Sequence, residues 1–235
     1  MKIHISRKNN TLSASALFDL SKCPCRSIFD DAAYVWEAVA GIAAYLNVNL
    51  KSGIQGNAEP GARITGDVYI GENTIVEDGA VIRGPVWIGN NCRVFASAFI
   101  RENVIIGSGA RIGGNTEIKN SILFDEAVVP HFNYVGDSIL GWRAHLGAGV
   151  KTANVRLDGQ AVWVKDGDRR IATGLRKLGA IIGDEAEIGC NAVLNPGTII
   201  GVRTIVYAGA LLSGIYPPDS IVKVRQHHEI VKQKK

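Results

Sequence analysis

The sequence predicts an all-β protein, a parallel β-helix built from repeats of six residues. Three observations predict it: a large apolar residue at every sixth position, a small or β-branched residue two places before it, and glycine directly after it at several turns. The 235 residues are 46% hydrophobic and 20% charged, a balance that can bury a core and argues against a disordered chain. The 27 glycines beside 7 prolines fit a fold with many tight turns.

The apolar series runs from position 64 to 124 and resumes at 182. Each short strand would point one large and one small side chain into a narrow interior, where full burial is worth about 1.5–3 kcal/mol for each large residue. We therefore expect Phe124 to end the first interior series. The large residues are Ile64, Ile70, Val76, Ile82, Ile88, Val94, Ile100, Ile106, Ile112, Ile118 and Phe124, then Ile182, Ile188, Leu194, Ile200, Val206 and Leu212.

This pattern resembles the left-handed, three-sided β-helix of hexapeptide acyltransferases, in which three hexapeptides make one coil. From the extent of the repeat we expect an N-terminal segment over 1–52, a β-helix over 53–222 and a basic tail over 223–235. The tail has the charge pattern of a solvated surface.

The N-terminal segment contains one amphipathic stretch. Residues 30–46 predict a helix, with Asp30 or Asp31 as its cap and an apolar stripe that includes Val35, Val39 and Ile42. We expect it to cover the open first coil, whose strand edges would otherwise stay unpaired.

A second segment interrupts the repeat at 156–178. It predicts a hairpin that turns at Asp166-Gly167. The sequence is compatible both with an excursion that shapes a groove and with one that has no part in function.

The six-residue spacing of the large apolar residues is lost between Phe124 and Leu146. This stretch contains His131 and Tyr134 and, near its end, His145. A regular fold tolerates an irregularity where function gains from it, so this stretch is a candidate site.

Arg83, Arg101 and Lys119 are 18 residues apart and would lie on successive coils. At a strand spacing of about 4.8 Å, neighbouring cations repel by about 3 kcal/mol at an effective dielectric constant of 20. A bound anion would reverse that effect, and arginine beside lysine suits phosphate. The alternative is a solvated basic edge.

The segment 112–150 carries an E-I-K element, an H-x-x-Y-x-G-D element and an L-G-A-G element. It resembles the acetyltransferase domain of the bifunctional glucosamine-1-phosphate N-acetyltransferase/N-acetylglucosamine-1-phosphate uridylyltransferase, the GlmU-like family. The likeness spans roughly residues 60–225, and we expect no counterpart of the uridylyltransferase domain within these 235 residues.

The resemblance implies acetyl transfer from acetyl-CoA to an amino-sugar phosphate, with glucosamine 1-phosphate as the first expectation and no metal. His131 falls on the catalytic base, Glu117 on the carboxylate that supports it, and the backbone N–H of Ala148 on an oxyanion donor. The residues implied for binding are Arg101 and Lys119 for the phosphate, Tyr134, His145 and Asn154 for the sugar, and Asn154, Cys190 and Arg225 for coenzyme A.

Several positions depart from the family pattern. His145 replaces an asparagine, Val155 replaces a tyrosine, and Cys190 stands where a serine is expected. Acyl transfer is therefore better supported than the identity of the acceptor.

Other features limit the class of protein. We expect four reduced cysteines (Cys23, Cys25, Cys92 and Cys190), a cytoplasmic location and no signal peptide or membrane span. The net charge of +4 does not favour a nucleic-acid partner. By family analogy we expect a homotrimer.

Two alternatives remain at this stage. One is an inactive binding or assembly protein, or a regulatory partner of a sugar nucleotidyltransferase. The other is a γ-class carbonic anhydrase-like metalloenzyme, which the sequence disfavours because it lacks a histidine pair five residues apart within the repeat.

Overall fold

Three parallel β-sheets form the sides of a triangular β-helix in the computed structural model, which describes residues 12–233. We call the sheets the first, second and third face, in the order in which the chain visits them. The first face comprises Gly53–Ile54, Val68–Ile70, Val86–Ile88, Val104–Ile106, Ser121–Leu123, Ile139–Leu140, Ala180–Ile182, Thr198–Ile200 and Ile215–Tyr216.

The other two faces are built in the same way. The second comprises Asn57–Ala58, Ile75–Val76, Arg93–Val94, Arg111–Ile112, Val128–Val129, His145–Leu146, Glu187–Ile188, Ile205–Val206 and Ile221–Val222. The third comprises Arg63–Thr65, Val81–Arg83, Phe99–Ile100, Glu117–Lys119, Tyr134–Gly136, Lys151–Thr152, Val193–Leu194 and Leu211–Leu212.

Strands on one face pair in parallel with their neighbours one coil away. Val68 pairs with Val86, and Val86 with Val104, at intervals of 18 residues. Most of the predicted residues, such as Ile82 and Ile100, are buried in one continuous core, against which Ile64 is partly buried. The predicted parallel β-helix is confirmed.

The coils shorten by one residue in the middle of the chain. Val104 pairs with Ser121, and Glu117 with Tyr134, at an interval of 17. Because side chains alternate between the two sides of a strand, removing one residue exchanges inside and outside. Leu123 therefore enters the core and Phe124 does not, so the prediction for Phe124 is wrong.

Polar side chains fill the turns between the third and first faces of the shortened coils. The Ser138 hydroxyl donates to the Gly136 carbonyl at 2.8 Å, and the Gly136 N–H donates to the Thr152 hydroxyl oxygen at 3.0 Å. Both hydroxyl-bearing residues are fully buried, and these bonds satisfy them.

The N-terminal segment has a short helix at Ala14–Leu17, 3₁₀ turns at Leu20–Lys22 and Arg26–Phe29, and a longer helix at Glu37–Asn49. The predicted helix over 30–46 thus begins seven residues late and ends three residues late. At its start the Glu37 carboxylate accepts the Ala33 N–H at 2.8 Å, and the residue that caps the helix is the buried Trp36, whose side chain makes no capping hydrogen bond.

That segment packs along the outer side of the first face and not over the first coil, so the predicted location is wrong. The middle strands of the first face are apolar on both sides, and their outward residues need a cover. Ile105, Ile122 and Ile139 on those strands are buried with Phe18 and Ile42 of the segment.

The interruption at 156–178 contains an antiparallel hairpin, Trp163–Asp166 with Arg169–Ala172. Val162 and Val164 are buried in the same apolar layer as Ile199 of the first face. Within residues 12–233, no helix has the length and apolar character needed to cross a bilayer.

Candidate functional site

Three of the predicted residues stack at one corner of the β-helix, the turn that leads from the second face to the third. The Gly149 N–H donates to the His131 carbonyl at 2.9 Å, and the Asn191 N–H donates to the Ala148 carbonyl at 2.8 Å. His131, Ala148 and Cys190 therefore occupy equivalent positions on three successive coils, about 4.8 Å apart at each step. We call this stack the catalytic corner.

The His131 side chain is exposed to solvent. Its ring centroid lies 6.5 Å from that of Phe132, and among residues 12–233 no group forms a hydrogen bond with the imidazole. The predicted supporting carboxylate, Glu117, binds Arg101 instead, with its Oε1 2.9 Å from Nη1. Support of His131 by Glu117 stays a prediction.

The Ala148 N–H is free to bind a ligand. Gly147 and Gly149, on either side of it, donate their amides to Ile188 and His131, whereas the half-exposed Ala148 donates to no acceptor among residues 12–233. The same turn is also fixed on its interior side. There the buried Asn133 Oδ1 accepts the Val150 N–H at 2.7 Å. A fixed, unused amide of this kind can stabilise an oxyanion.

The third face carries the predicted row of cations. Ile82, Ile100 and Ile118 pair in register, so the residue after each of them, Arg83, Arg101 or Lys119, points outward at the same level of its coil. Arg101 is already paired, since its Nη1 contacts Glu117 at 2.9 Å and its Nη2 contacts Glu102 at 3.3 Å. The Glu117 hydrogen bond is the main cause that raises the pKa of Arg101.

Tyr134 and Asn154 meet above the cation row. The Asn154 Nδ2 donates to the Tyr134 Oη at 3.3 Å and also to the Asp137 carboxylate. Asn120 donates to the other carboxylate oxygen of Asp137 at 2.8 Å. Burial is the main cause that raises the pKa of Tyr134, and the Asn154 hydrogen bond opposes it.

Asp137 is a residue that the sequence analysis did not single out. It is 4% exposed and fixes the amide that holds Tyr134. The sequence does carry a signal for Asp137, because this residue is the last one of the H-x-x-Y-x-G-D element.

His145 lies on a different face of the β-helix from Tyr134 and Asn154. It lies on the second face, paired in register with Val128 and Glu187, and its Nδ1 is 2.7 Å from the Glu187 Oε2. Tyr134 and Asn154 lie on the other side of the catalytic corner. A sugar contact from His145 therefore stays a prediction.

Arg225 lies beyond the last strand of the second face, Ile221–Val222, and is exposed. Four coil steps separate that strand from Val128–Val129, a rise of about 19 Å. A ligand that reached both His131 and Arg225 would have to run along the whole C-terminal half of the β-helix. Within the described part of the chain, no group of three His, Cys, Asp or Glu side chains is arranged to hold a metal ion.

Comparison with known proteins agrees with the sequence motifs. The family of the GMPPB C-terminal domain matches residues 82–169. Bifunctional protein GlmU of Methanococcus maripaludis strain C5 is 35% identical over 206 residues, which are 88% of this chain and 50% of that protein. GlmU of strain C7 is 43% identical over the same shares.

A shorter match is the putative uncharacterized acetyltransferase YaiX of Escherichia coli K12, 45% identical over 86 residues, or 37% of each chain. The chain spans about half the length of the GlmU proteins that it matches. The coils, the H-x-x-Y-x-G-D element and the alignment over 88% of the chain together show its likeness to one half of the bifunctional GlmU proteins.

Proposed function

We propose that this chain is a hexapeptide-repeat acyltransferase that moves the acetyl group of acetyl-CoA to the amino group of an amino-sugar phosphate, with glucosamine 1-phosphate as the first candidate. The observation that carries the proposal is the catalytic corner. It holds an exposed imidazole, His131, one coil from an unused backbone amide, Ala148, beside a row of cations.

Two groups are needed for this chemistry. The amine of the sugar attacks the thioester carbonyl, and the neutral His131 imidazole accepts the proton that the amine loses. The tetrahedral intermediate carries a negative oxygen, which the Ala148 N–H stabilises without a change in its own charge. Collapse of the intermediate expels the coenzyme A thiolate, which takes up the proton from the His131 imidazolium and so returns the imidazole to its neutral form.

The substrates would approach from opposite ends of the corner. Arg101, Lys119, Tyr134 and Asn154 surround the place for the phosphate and sugar, on the third face beside His131. Cys190 and Arg225 lie on coils further toward the C-terminus, in the direction from which coenzyme A would reach Ala148. His145, on the second face, would meet a sugar held by another copy in the expected homotrimer.

The test is release of free thiol from acetyl-CoA with a panel of amino-sugar phosphates and nucleotide-linked amino sugars. His131→Ala should lower kcat by about 10²–10⁴-fold, the usual contribution of a general base. Asp78→Ala is the matched control, because Asp78 is an exposed residue at the equivalent corner position three coils earlier. The control should keep the wild-type rate.

Equal inactivity of the wild type and His131→Ala over the whole panel would refute acyl transfer. A binding, assembly or regulatory role beside a sugar nucleotidyltransferase would then be the better explanation. The pairing of Arg101 with two carboxylates is the observation that favours that alternative, since it leaves one cation of the row unavailable to an anion.

A further inference from the structure

The turn that carries Ala148 is closed differently from other turns between the second and third faces. In those turns the residue just before the third-face strand donates its N–H to the carbonyl three residues earlier. Val150 occupies this position in the Ala148 turn, but it donates to the Asn133 Oδ1 at 2.7 Å instead. The ordinary bonds, of 2.9–3.3 Å, join Ala62 to Glu59, Ala80 to Glu77, Ala98 to Phe95 and Ala192 to Gly189.

Asn133 lies in an interior column of otherwise small or β-branched residues. The register of the third face places it one coil after Thr116 and one coil before Val150. It is the one amide side chain in this column. The members, all buried, are Ala80, Ala98, Thr116, Asn133, Val150, Ala192 and Ala210.

An asparagine at this position destabilises the fold in one respect. Its Nδ2 is buried and has no hydrogen-bond partner among residues 12–233, and an unsatisfied buried donor costs free energy. Alanine, which occupies the same column at Ala98 and Ala192, would avoid that cost. Buried polar groups without a partner call for a reason, and a regular fold tolerates them where function gains.

Asn133 connects the two halves of the catalytic corner. It lies two residues after His131, and its bond to Val150 fixes the peptide two residues after Ala148. The Gly149 N–H adds a second bond, to the His131 carbonyl at 2.9 Å. Both bonds tie the Ala148 turn to the coil that carries the imidazole, so together they set the direction of the free Ala148 N–H relative to that coil.

We propose that Asn133 is a positioning residue for acyl transfer, which sets the direction in which the Ala148 N–H meets the oxyanion. The inference rests on the proposed acyl transfer for the oxyanion, whereas the contact with Val150 rests on geometry alone. Asn133 is 3% exposed, so it acts on the substrate only through the turn. An oxyanion donor must already point to the place where charge develops, and a displacement of about 1 Å can lower the rate by about 100-fold.

The first experiment is steady-state kinetics of acetyl transfer. Asn133→Ala should lower kcat by about 10- to 100-fold, because the Ala148 N–H loses its fixed direction. KM should change little, since the oxyanion exists only after the attack on the thioester. Asn133→Thr should restore most of the rate. Thr116, one coil earlier, already uses its hydroxyl oxygen in this way, to accept the Asn133 N–H at 3.4 Å.

Thr74→Ala is the matched control. The Thr74 hydroxyl oxygen accepts the Cys92 N–H at 2.9 Å, so this variant also removes a buried side-chain acceptor from a turn. That turn lies between the first and second faces, away from the catalytic corner, and the control should keep the wild-type kcat. A wild-type kcat in Asn133→Ala, or an equal loss in both alanine variants, would overturn the role of Asn133 and keep the acyltransferase.

Hydrogen exchange of the Val150 amide tests the contact without a substrate. Exchange should be about two- to tenfold faster in Asn133→Ala than in the wild type, the factor that one hydrogen bond contributes, and should slow again in Asn133→Thr. Unchanged exchange would overturn the inference. Faster exchange in Asn133→Ala, together with no acetyl transfer by the wild type, would keep the role of Asn133 in the turn and refute the acyltransferase.

Discussion

Gly136 lies at the end of a third-face strand, next to Lys119 in register and beneath the Tyr134 ring. A Cβ there would lie 2.6 Å from the Tyr134 Oη and 2.8 Å from the Asn154 Nδ2. The absence of a side chain thus allows the phenol and the amide to meet over the cation row. Glycine is needed at position 136 because a side chain would not fit there, and not because the backbone has a positive φ angle.

Gly136→Ala should lower kcat/KM for the acceptor by about 10- to 100-fold, because displacing positioning groups by about 1 Å has effects of that size. The fold should persist, since both displaced atoms are the ends of side chains. Steady-state kinetics and a thermal melt measure the two effects. Gly53→Ala is the control, since its nearest contact would be Gln55 at 4.0 Å. Unchanged kinetics in Gly136→Ala would contradict this role.

At the scale of elements, the N-terminal segment is held on the first face by polar contacts as well as apolar ones. Asp184, 6% exposed, accepts the Asp19 N–H at 2.6 Å and the Trp142 N–H at 2.7 Å. Phe18 and Phe124 pack with their ring centroids 4.7 Å apart. The segment is therefore an integral layer of the fold.

Asp184→Ala should reduce the free energy of unfolding by about 2–3 kcal/mol, because two backbone N–H groups lose a charged acceptor. Burial raises the pKa of Asp184, so the native chain keeps this proton to a higher pH than the unfolded chain does. Its contribution to stability thus falls as the pH rises through the native pKa, and the variant should lose that pH dependence.

Urea denaturation between pH 3 and pH 7 measures both effects. Asp219→Ala is the control, since Asp219 forms an exposed pair with Arg203 and exposed pairs contribute little. A denaturation midpoint for Asp184→Ala equal to that of the control would show that Asp184 does not anchor the segment.

At the scale of the whole molecule, the last coils expose an apolar surface one and two coils beyond Cys190, on both sides of the same edge of the β-helix. Ile205 and Ile221 pair in register on the second face, and Leu211 on the third face is 72% exposed. Tyr207 lies between them, 46% exposed. A patch of this kind often marks an interface between proteins.

We expect the wild type to sediment as a trimer and Leu211→Asp to shift it toward the monomer, because a buried charge would oppose association. Leu157→Asp is the control, because Leu157 is a fully exposed leucine in the interruption at 156–178. Sedimentation velocity distinguishes the species. A monomeric wild type, or a trimeric Leu211→Asp, would contradict this interface.

Much of the architecture was predictable because a β-helix is a local repeat. A six-residue period fixes which side chains face the interior, and each coil contacts mainly its neighbours. The same period placed Arg83, Arg101 and Lys119 in one row. The shortened coils were harder to predict, because Leu123 and Phe124 are both large and apolar, and only the strand register decides which one faces inward.

The repeat, the cation row and the motif that contains His131 can all be predicted from residue spacing, because each depends on positions within a few coils. Three other properties emerge only in the folded chain: Glu117 pairs with Arg101, His145 lies on a different face, and the Ala148 amide donates to no acceptor within residues 12–233. These properties depend on which groups compete for one partner in space. The spacing of residues along the sequence does not show which side chains will compete for the same hydrogen-bond or ion-pair partner.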